Sequence, residues 1–188
     1  MSLFEARLTA CLFLAAGIQA PLTAQRPWPS AEVRRGTLSF DGKSSLGDFT
    51  GTTSELRGQM TGGSALADVR GYVQAPVTTL KTGNDRRDRD LVKTMAADQF
   101  PNIRFELNGV TQEWERGDST GVLLLGNFVI HGVTRAEKVK ATVVREGDGV
   151  HLTASLPMNL HDYKVDKLTR FLVLKMDPDI VVHVDIVF

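Results

Sequence analysis

Residues 122–131, VLLLGNFVIH, carry the pattern that decides the fold. Every second residue from Val122 to Ile130 is apolar or glycine, so these residues share one face of an extended strand. Asn127 and His131 fall on the opposite face, which also carries leucines. This alternation predicts a β-strand with one face toward a core.

The same period of two recurs across residues 36–188, between clusters of Gly, Asn, Asp and Ser. We therefore predict about eight antiparallel strands. They lie around residues 38–40, 49–56, 67–74, 103–108, 122–131, 138–143, 150–159 and 180–188.

Residues 84–98 break this period and predict a short helix. Asn84 or Asp85 is a suitable N-cap, Leu91 and Met95 are four residues apart, and Pro101 ends the segment by favouring an extended Phe100.

We expect an all-β domain, an eight-stranded antiparallel barrel with one short helix, because closure removes exposed strand edges that a sandwich would keep. Such a barrel is either filled by its own side chains or open enough for one small ligand. Small residues on the inner face favour an open lumen: Ala67, Gly71, Gly126, Ala141 and Ala154. Large ones could instead fill it: Phe40, Phe105, Phe128 and Phe188.

Composition limits the partners. Lys and Arg number 22 and Asp and Glu number 22, so no net field draws the chain to nucleic acid or an anionic membrane. Cys11 is the single cysteine, and it lies in an apolar run at residues 8–18.

That run follows Arg7 and precedes small residues, which is typical of a secretory signal peptide and too short for a membrane span. We predict a signal peptide at residues 1–24, a lead-in at 25–35 and one domain at 36–188. The alternatives are lipidation at Cys11 or a buried N-terminal helix.

No HExxH, GxSxG, P-loop or GxGxxG motif occurs, and we predict neither a metal site nor a cofactor. An enzyme would have to draw acid–base chemistry from His151, His161 and Asp162. Alternation places both histidines on the polar face, which favours a surface position. His183 and Asp185 share a polar strand face, where a cross-strand contact is expected.

Two further groups have open interpretations. Arg86, Arg87 and Arg89 lie in a charged run that sums to zero, which indicates either a solvated helix face or a rim that binds a polar headgroup. Leu123, Leu125 and Val129 lie on the outer face, where they contact either another subunit or another element of the same chain.

Several motifs resemble those of the YceI-like family, bacterial periplasmic proteins associated with polyisoprenoid and related amphiphilic lipids. The matching stretches are Phe49-Thr50-Gly51, LKTGN at 80–84 followed by Arg87-Asp88, FPNIRF at 100–105, GNFVIHGVT at 126–134, and Asp162-Tyr163 before a Val-rich last strand. The resemblance implies an extended lipocalin-like antiparallel barrel with the short helix near one end, an elongated apolar lumen, and often a dimer.

These observations together predict a non-enzymatic periplasmic or secreted carrier for an isoprenoid-tailed lipid, such as a quinone or a polyprenyl compound. Burial of each methylene of the tail contributes about 0.8 kcal/mol. By alternation, the residues expected to line the lumen are Val69, Gly71, Val73, Phe105, Leu107, Phe128, Ile130, Leu152, Ala154, Leu156, Val182 and Val184. The alternatives are the enzyme above and an interaction module with a solid barrel.

Overall fold

The computed structural model of the chain describes residues 26–45, 47–165 and 176–188. These contain ten strands, one α-helix and three short 3₁₀ turns. The strands are β1 (Ala31–Glu32), β2 (Arg35–Gly42), β3 (Phe49–Thr53), β4 (Arg57–Thr61), β5 (Arg70–Pro76), β6 (Asn102–Arg116), β7 (Ser119–Ile130), β8 (Val133–Glu146), β9 (Gly149–Asn159) and β10 (Asp179–Val187). Helix α1 is Asp85–Thr94, and the 3₁₀ turns are Leu66–Asp68, Val77–Thr79 and Leu160–Tyr163.

All ten strands join one antiparallel sheet in the order β1-β4-β5-β6-β7-β8-β9-β10-β2-β3. The predicted all-β barrel with one short helix is confirmed, with two strands more than the eight expected. The additional strands are β1, which has only two residues, and β4, in which Met60 is the only large apolar residue. Neither is long or apolar enough to show the period of two in the sequence.

Backbone hydrogen bonds bring the two ends of the sheet together. Val33 N donates to Gly58 O of β4 at 3.0 Å, and Arg34 N donates to Val187 O of β10 at 2.8 Å. The segment between β1 and β2 therefore passes from one end of the sheet to the other. Near α1, Thr52 of β3 exchanges two 2.8 Å backbone hydrogen bonds with Lys81. These contacts curl the sheet into a barrel.

Two-residue turns join the long central strands. Gly117 and Gly147 have φ of 56° and 60°, and each is followed by aspartate. Positive φ is the conformation that tight hairpin turns require and that glycine adopts without strain. The Gly-Asp pairs therefore set the register of β6 with β7 and of β8 with β9.

Helix α1 begins where the sequence predicts. The Asn84 side chain accepts hydrogen bonds from Arg86 N at 3.0 Å and Arg87 N at 3.1 Å, which is N-capping geometry. The helix ends at Thr94, earlier than predicted, and Ala96 has a φ of 46°. Met95 is buried in the core, and Leu91 packs against it.

The strand predicted at 67–74 begins later, at Arg70. Residues 66–68 form a 3₁₀ turn instead, and Val69 ends that turn. Ala67 therefore lies outside the strand whose inner face it was expected to share.

Candidate ligand-binding cavity

The barrel encloses a cavity of about 110 Å³. Its wall is almost entirely apolar, and residues of β2, β4, β5, β6, β7, β8, β9 and β10 contribute to it. The inner-face residues among them are Leu38, Met60, Gly71, Val73, Ala75, Ile103, Phe105, Leu107, Leu124, Phe128, Val139, Leu152, Ala154, Leu156, Val184 and Ile186. Phe188 lies at one end.

Nine of the twelve residues predicted to face the lumen contribute to this wall: Gly71, Val73, Phe105, Leu107, Phe128, Leu152, Ala154, Leu156 and Val184. The other three, Val69, Ile130 and Val182, are buried in the core but do not line the cavity. Val69 lies before β5 begins, and Ile130 is the last residue of β7. Alternation identified the inner face, whereas the position along the barrel axis decides whether that face borders open space.

The small inner residues have different roles. A Cβ at Gly71 would collide with Gln59 O, so this glycine allows β4 and β5 to approach each other. A Cβ at Gly126 would meet the backbone oxygen of Glu106 and the Phe105 ring, which lies over this glycine. Ala154 lines the cavity directly. Of these positions, only Ala154 can be enlarged without first displacing backbone.

The large aromatic residues do not fill the barrel completely. Phe105 and Phe128 pack against each other with ring centroids 4.7 Å apart and form part of the cavity wall. Phe40 instead makes an edge-to-face contact with Phe49 and covers Gly51.

The volume limits what the cavity can enclose. An engineered cavity of about 150 Å³ accommodates benzene, so about 110 Å³ holds a group of comparable or smaller size. A longer apolar tail would have to widen the lumen or extend out of it.

Strands β8 and β9 separate beside the cavity. Their pairing runs from Glu146–Gly149 to Ala141–Ala154. Beyond that point, within the described residues, β8 pairs only with β7 and β9 pairs only with β10. We call this separation, between residues 133–140 and 155–159, the β8–β9 seam. Val139 and Leu156 lie on its two sides, and both line the cavity.

Charged side chains occupy the inner face of β8 at the seam. Arg135 and Glu137 have the same alternation as the buried Val139, yet their side chains are 43% and 37% exposed. Arg135 Nη1 lies 3.5 Å from Asp162 Oδ1, and Arg135 Nε lies 3.8 Å from Glu137 Oε1. Water therefore reaches the inner face of the barrel at this point.

Tyr163, in the third 3₁₀ turn, packs beside this cluster. It is only 1% exposed, its ring centroid lies 6.0 Å from Arg135 Cζ, and its hydroxyl oxygen has no hydrogen-bond partner among the described residues. Burial, with a further contribution from Glu137, raises the pKa of Tyr163 to about 12. The hydroxyl therefore keeps its proton at physiological pH.

The arginines predicted as a headgroup rim do not line the cavity. Arg86 and Arg89 are exposed on α1. The Arg87 guanidinium lies 4.2 Å from the Phe49 ring centroid and donates to Thr82 O at 2.8 Å. The contacts of Arg87 thus connect α1 to β3 and to the preceding loop.

The next residue, Asp88, is buried and accepts hydrogen bonds from Thr82 N at 2.9 Å and Thr82 Oγ1 at 2.6 Å. Burial opposes the charge of Asp88, but the Thr82 hydrogen bonds, with Lys81 and Arg87 nearby, outweigh it and lower the pKa. The Arg-Asp pair therefore stabilises the loop before α1.

The structure does not bring His151, His161 and Asp162 together. His151 lies near the start of β9, where its ring contacts Glu146 Oε1 at 3.2 Å and Asp185 Oδ1 at 2.9 Å. His161 and Asp162 follow the other end of that strand, at least about 25 Å away along an extended chain. A single acid–base site cannot include all three.

The other polar strand residues form the expected cross-strand contacts on the outer face. His183 contacts Ser155 Oγ and Asp41 Oδ2, each at 3.0 Å. A hydrogen bond from Thr50, with His183 nearby, lowers the pKa of Asp41.

The described ranges contain no group of three or more His, Cys, Asp or Glu side chains placed to hold a metal ion. Within them, no helix combines the length and apolar character that crossing a membrane requires. Leu123, Leu125 and Val129 are half-buried on the outer face.

Comparison with protein families identifies this architecture. The model of the YceI-like domain matches residues 31–188, which is nearly the whole described chain. The chain belongs to the YceI-like family. A search of curated proteins finds no match.

Solved structures share the YceI-like fold at low sequence identity. A polyisoprenoid binding domain from Saccharophagus degradans, implicated in plant cell wall breakdown, has a TM-score of 0.70 and 13% identity, over 83% of this chain and 95% of that one. BcnA from Burkholderia cenocepacia has a TM-score of 0.68 and 13% identity, over 81% and 96%. A YceI protein from Campylobacter jejuni has a TM-score of 0.56 and 16% identity, over 73% and 82%. At these identities the likeness shows the fold alone.

Sequence reasoning missed the charged cluster at the seam of this YceI-like barrel, although a signal for it was present. Arg135 and Glu137 continue the inner-face alternation of Val139, Ala141 and Val143. Charged residues on an inner face indicate a place where that face is not covered. This pattern is the sequence signal for a polar cluster on β8, whereas the sequence-based prediction placed the polar rim on α1.

Proposed function

We propose that this protein is a non-enzymatic carrier that binds the apolar tail of an isoprenoid-type or similar amphiphilic lipid in the barrel lumen. The observation that carries the proposal is the apolar cavity inside the barrel, whose wall includes nine of the residues that alternation assigned to the lumen. Withdrawing each methylene from water contributes about 0.8 kcal/mol, so an apolar cavity binds a tail without any catalytic group.

The family and one structural neighbour support the choice of ligand. The YceI-like match covers the barrel, and the Saccharophagus degradans neighbour is described as a polyisoprenoid binding domain. We extend that ligand class to this chain because its own cavity wall is apolar. A quinone or a polyprenyl compound is the expected ligand.

The place of action follows from the amino-terminal sequence. Residues 1–24, which lie outside the described residues, have the layout of a signal peptide, so we propose that the domain at 36–188 acts in the periplasm or after secretion. The lead-in at 25–35 would then begin the mature chain. A homodimer through Leu123, Leu125 and Val129 stays a prediction.

The test is native mass spectrometry, with organic extraction, of the mature protein purified from its own periplasm. We expect a stoichiometric long-chain lipid on the wild type. The Ala154→Phe variant places a phenyl ring in the cavity and should reduce lipid occupancy at least about tenfold, because it removes the volume that the tail needs.

The matched control is Thr153→Phe, which introduces the same phenylalanine side chain one residue earlier, on the exposed outer face of β9. It should retain wild-type lipid occupancy. The Gly71→Phe variant is not a suitable test, because even a Cβ there collides with the β4 backbone. A folded Ala154→Phe protein with unchanged lipid would refute binding in the lumen.

A further inference from the structure

The β8–β9 seam combines an opening in the barrel wall with a charged cluster beside an apolar cavity. Val139 and Leu156 line the cavity just beyond the last paired position of the two strands, Ala141–Ala154. The next inner-face residues of β8, Glu137 and Arg135, are charged and partly exposed. The wall thus changes from apolar to charged over two positions of one strand.

We propose that the β8–β9 seam is the entry of the lumen and binds the head of the amphiphile, and that this head is polar but uncharged, such as a hydroxyl or a ring carbonyl. The inference rests on the proposed function, because it concerns the head of a ligand whose tail occupies the cavity. It places headgroup recognition on β8 and the third 3₁₀ turn, and not on the arginines of α1.

The size of the cavity supports an exit at this point. A volume of about 110 Å³ encloses only a small group, so a lipid that enters it must leave part of its length outside. The seam is a gap in strand pairing that borders the cavity, and its inner face is already hydrated. An amphiphile crossing there keeps its tail among apolar residues and its head among polar ones.

The charges of the cluster select against an anionic head. Arg135 lies near two carboxylates, Glu137 and Asp162, so these three groups sum to one negative charge. A phosphate would meet both carboxylates, and Arg135, the cation of this cluster, is already shared between them. An uncharged head can accept from Arg135 and donate to a carboxylate without that repulsion.

An independent observation also indicates a missing partner here. The Tyr163 hydroxyl is buried and has no hydrogen-bond partner in the described structure, which is costly for a polar group. The Arg135 guanidinium carbon lies 6.0 Å from the Tyr163 ring centroid, which places this side chain beside the cluster. A bound hydroxyl or carbonyl would satisfy it.

The test compares two probes with the same tail, geranylgeraniol and geranylgeranyl diphosphate, by equilibrium dialysis against the full mature protein. We expect the wild type to bind the alcohol at least about tenfold more tightly, because the diphosphate meets two carboxylates. The double variant Glu137→Gln and Asp162→Asn removes both negative charges and should reduce this preference to less than about threefold.

The matched control is Glu106→Gln, which removes a carboxylate paired with Arg104 at 2.8 Å on the outer face, away from the seam. It should keep the wild-type preference. Tyr163→Phe should weaken binding of the alcohol while leaving the protein folded. Both seam carboxylates are partly exposed, so the double variant should fold, and circular dichroism with urea unfolding checks this.

The outcomes separate the two proposals. Equal or tighter binding of the diphosphate by the wild type, or an unchanged preference in the folded double variant, would overturn the headgroup site. Ala154→Phe should lose both probes to the same extent if the tail occupies the lumen. If that variant binds both probes as the wild type does, the carrier proposal itself fails, whatever the seam variants do.

Discussion

In the part of the barrel that the structure describes, neighbouring strands separate at two places that differ in the chemistry of the residues that cover them. One is the β8–β9 seam. At the other, which we call the β5–β6 seam, β6 continues past Leu107 to Arg116 without a β5 partner. The first 3₁₀ turn packs against β6 there, and Val69 and Val110 are 3% and 7% exposed. At the β8–β9 seam the third 3₁₀ turn packs against β8 and buries the Tyr163 ring, but the ion pairs of Arg135 beside it are partly exposed.

The difference teaches that a gap in strand pairing is not by itself an opening. Aliphatic side chains from the first 3₁₀ turn and β6 exclude water from the β5–β6 seam. Exposed ion pairs contribute little to stability, so the charges at the β8–β9 seam do not close it strongly. We infer that the first gap is structural and that the second can open for a ligand.

The largest effect should come from placing a charge in the closed gap. Val110→Asp buries a carboxylate without a partner, and we expect a loss of about 3–5 kcal/mol in the free energy of unfolding. Urea denaturation measures it. Thr111→Asp, at the next position on the exposed outer face, should change stability by less than about 0.5 kcal/mol. A tolerated Val110→Asp would show that the β5–β6 seam is also open to water.

The second-largest effect should be a loss of folding stability at alkaline pH, which depends on the ionisation of Tyr163. Its pKa is raised from 10.0 to about 12, so the unfolded chain loses this proton at lower pH than the folded one. Stability is therefore full below pH 10 and should fall by up to about 1.4 kcal/mol per pH unit between pH 10 and 12. Unfolding measured across this range should show a shallower slope in Tyr163→Phe.

The matched control for the alkaline slope is Tyr72→Phe. Tyr72 lies on the outer face, where the Arg104 guanidinium stacks 3.8 Å from its ring centroid. This variant should keep the wild-type decline. If Tyr163→Phe declines as steeply as wild type, the Tyr163 hydroxyl is not held neutral by the seam.

The smallest effect should come from removing the cation of the open seam. Arg135→Gln breaks two ion pairs whose partners are partly exposed, and we expect a stability change below about 0.5 kcal/mol. Arg145→Gln is the comparison, because Arg145 stacks 3.9 Å from Trp28 and donates to Arg26 O and Pro27 O. In thermal denaturation, Arg145→Gln should lower the melting temperature more than Arg135→Gln does. A loss above about 1 kcal/mol for Arg135→Gln would mean that ion pairing closes the seam.

Part of the site could be predicted because it depends on local geometry. Side chains alternate along a strand, so Val73, Leu107 and Ala154 were assigned to the inner face from their neighbours alone. The same rule could not separate Ile130 and Val182 from them, because the filling of the barrel around these two residues depends on residues distant in the sequence. Likewise, no local pattern showed that Arg87 packs on Phe49.

The sequence by itself determined eight of the ten described strands, the start of α1 and the apolar inner face, because alternation, capping and turn chemistry act over a few neighbouring residues. Only the tertiary structure decided where strands stop pairing. That depends on how a twisted sheet closes, through contacts such as Val33 with Gly58 and Thr52 with Lys81 that join distant parts of the chain. The β8–β9 seam, and with it the position of Arg135 and Tyr163 beside the cavity, follows from that closure.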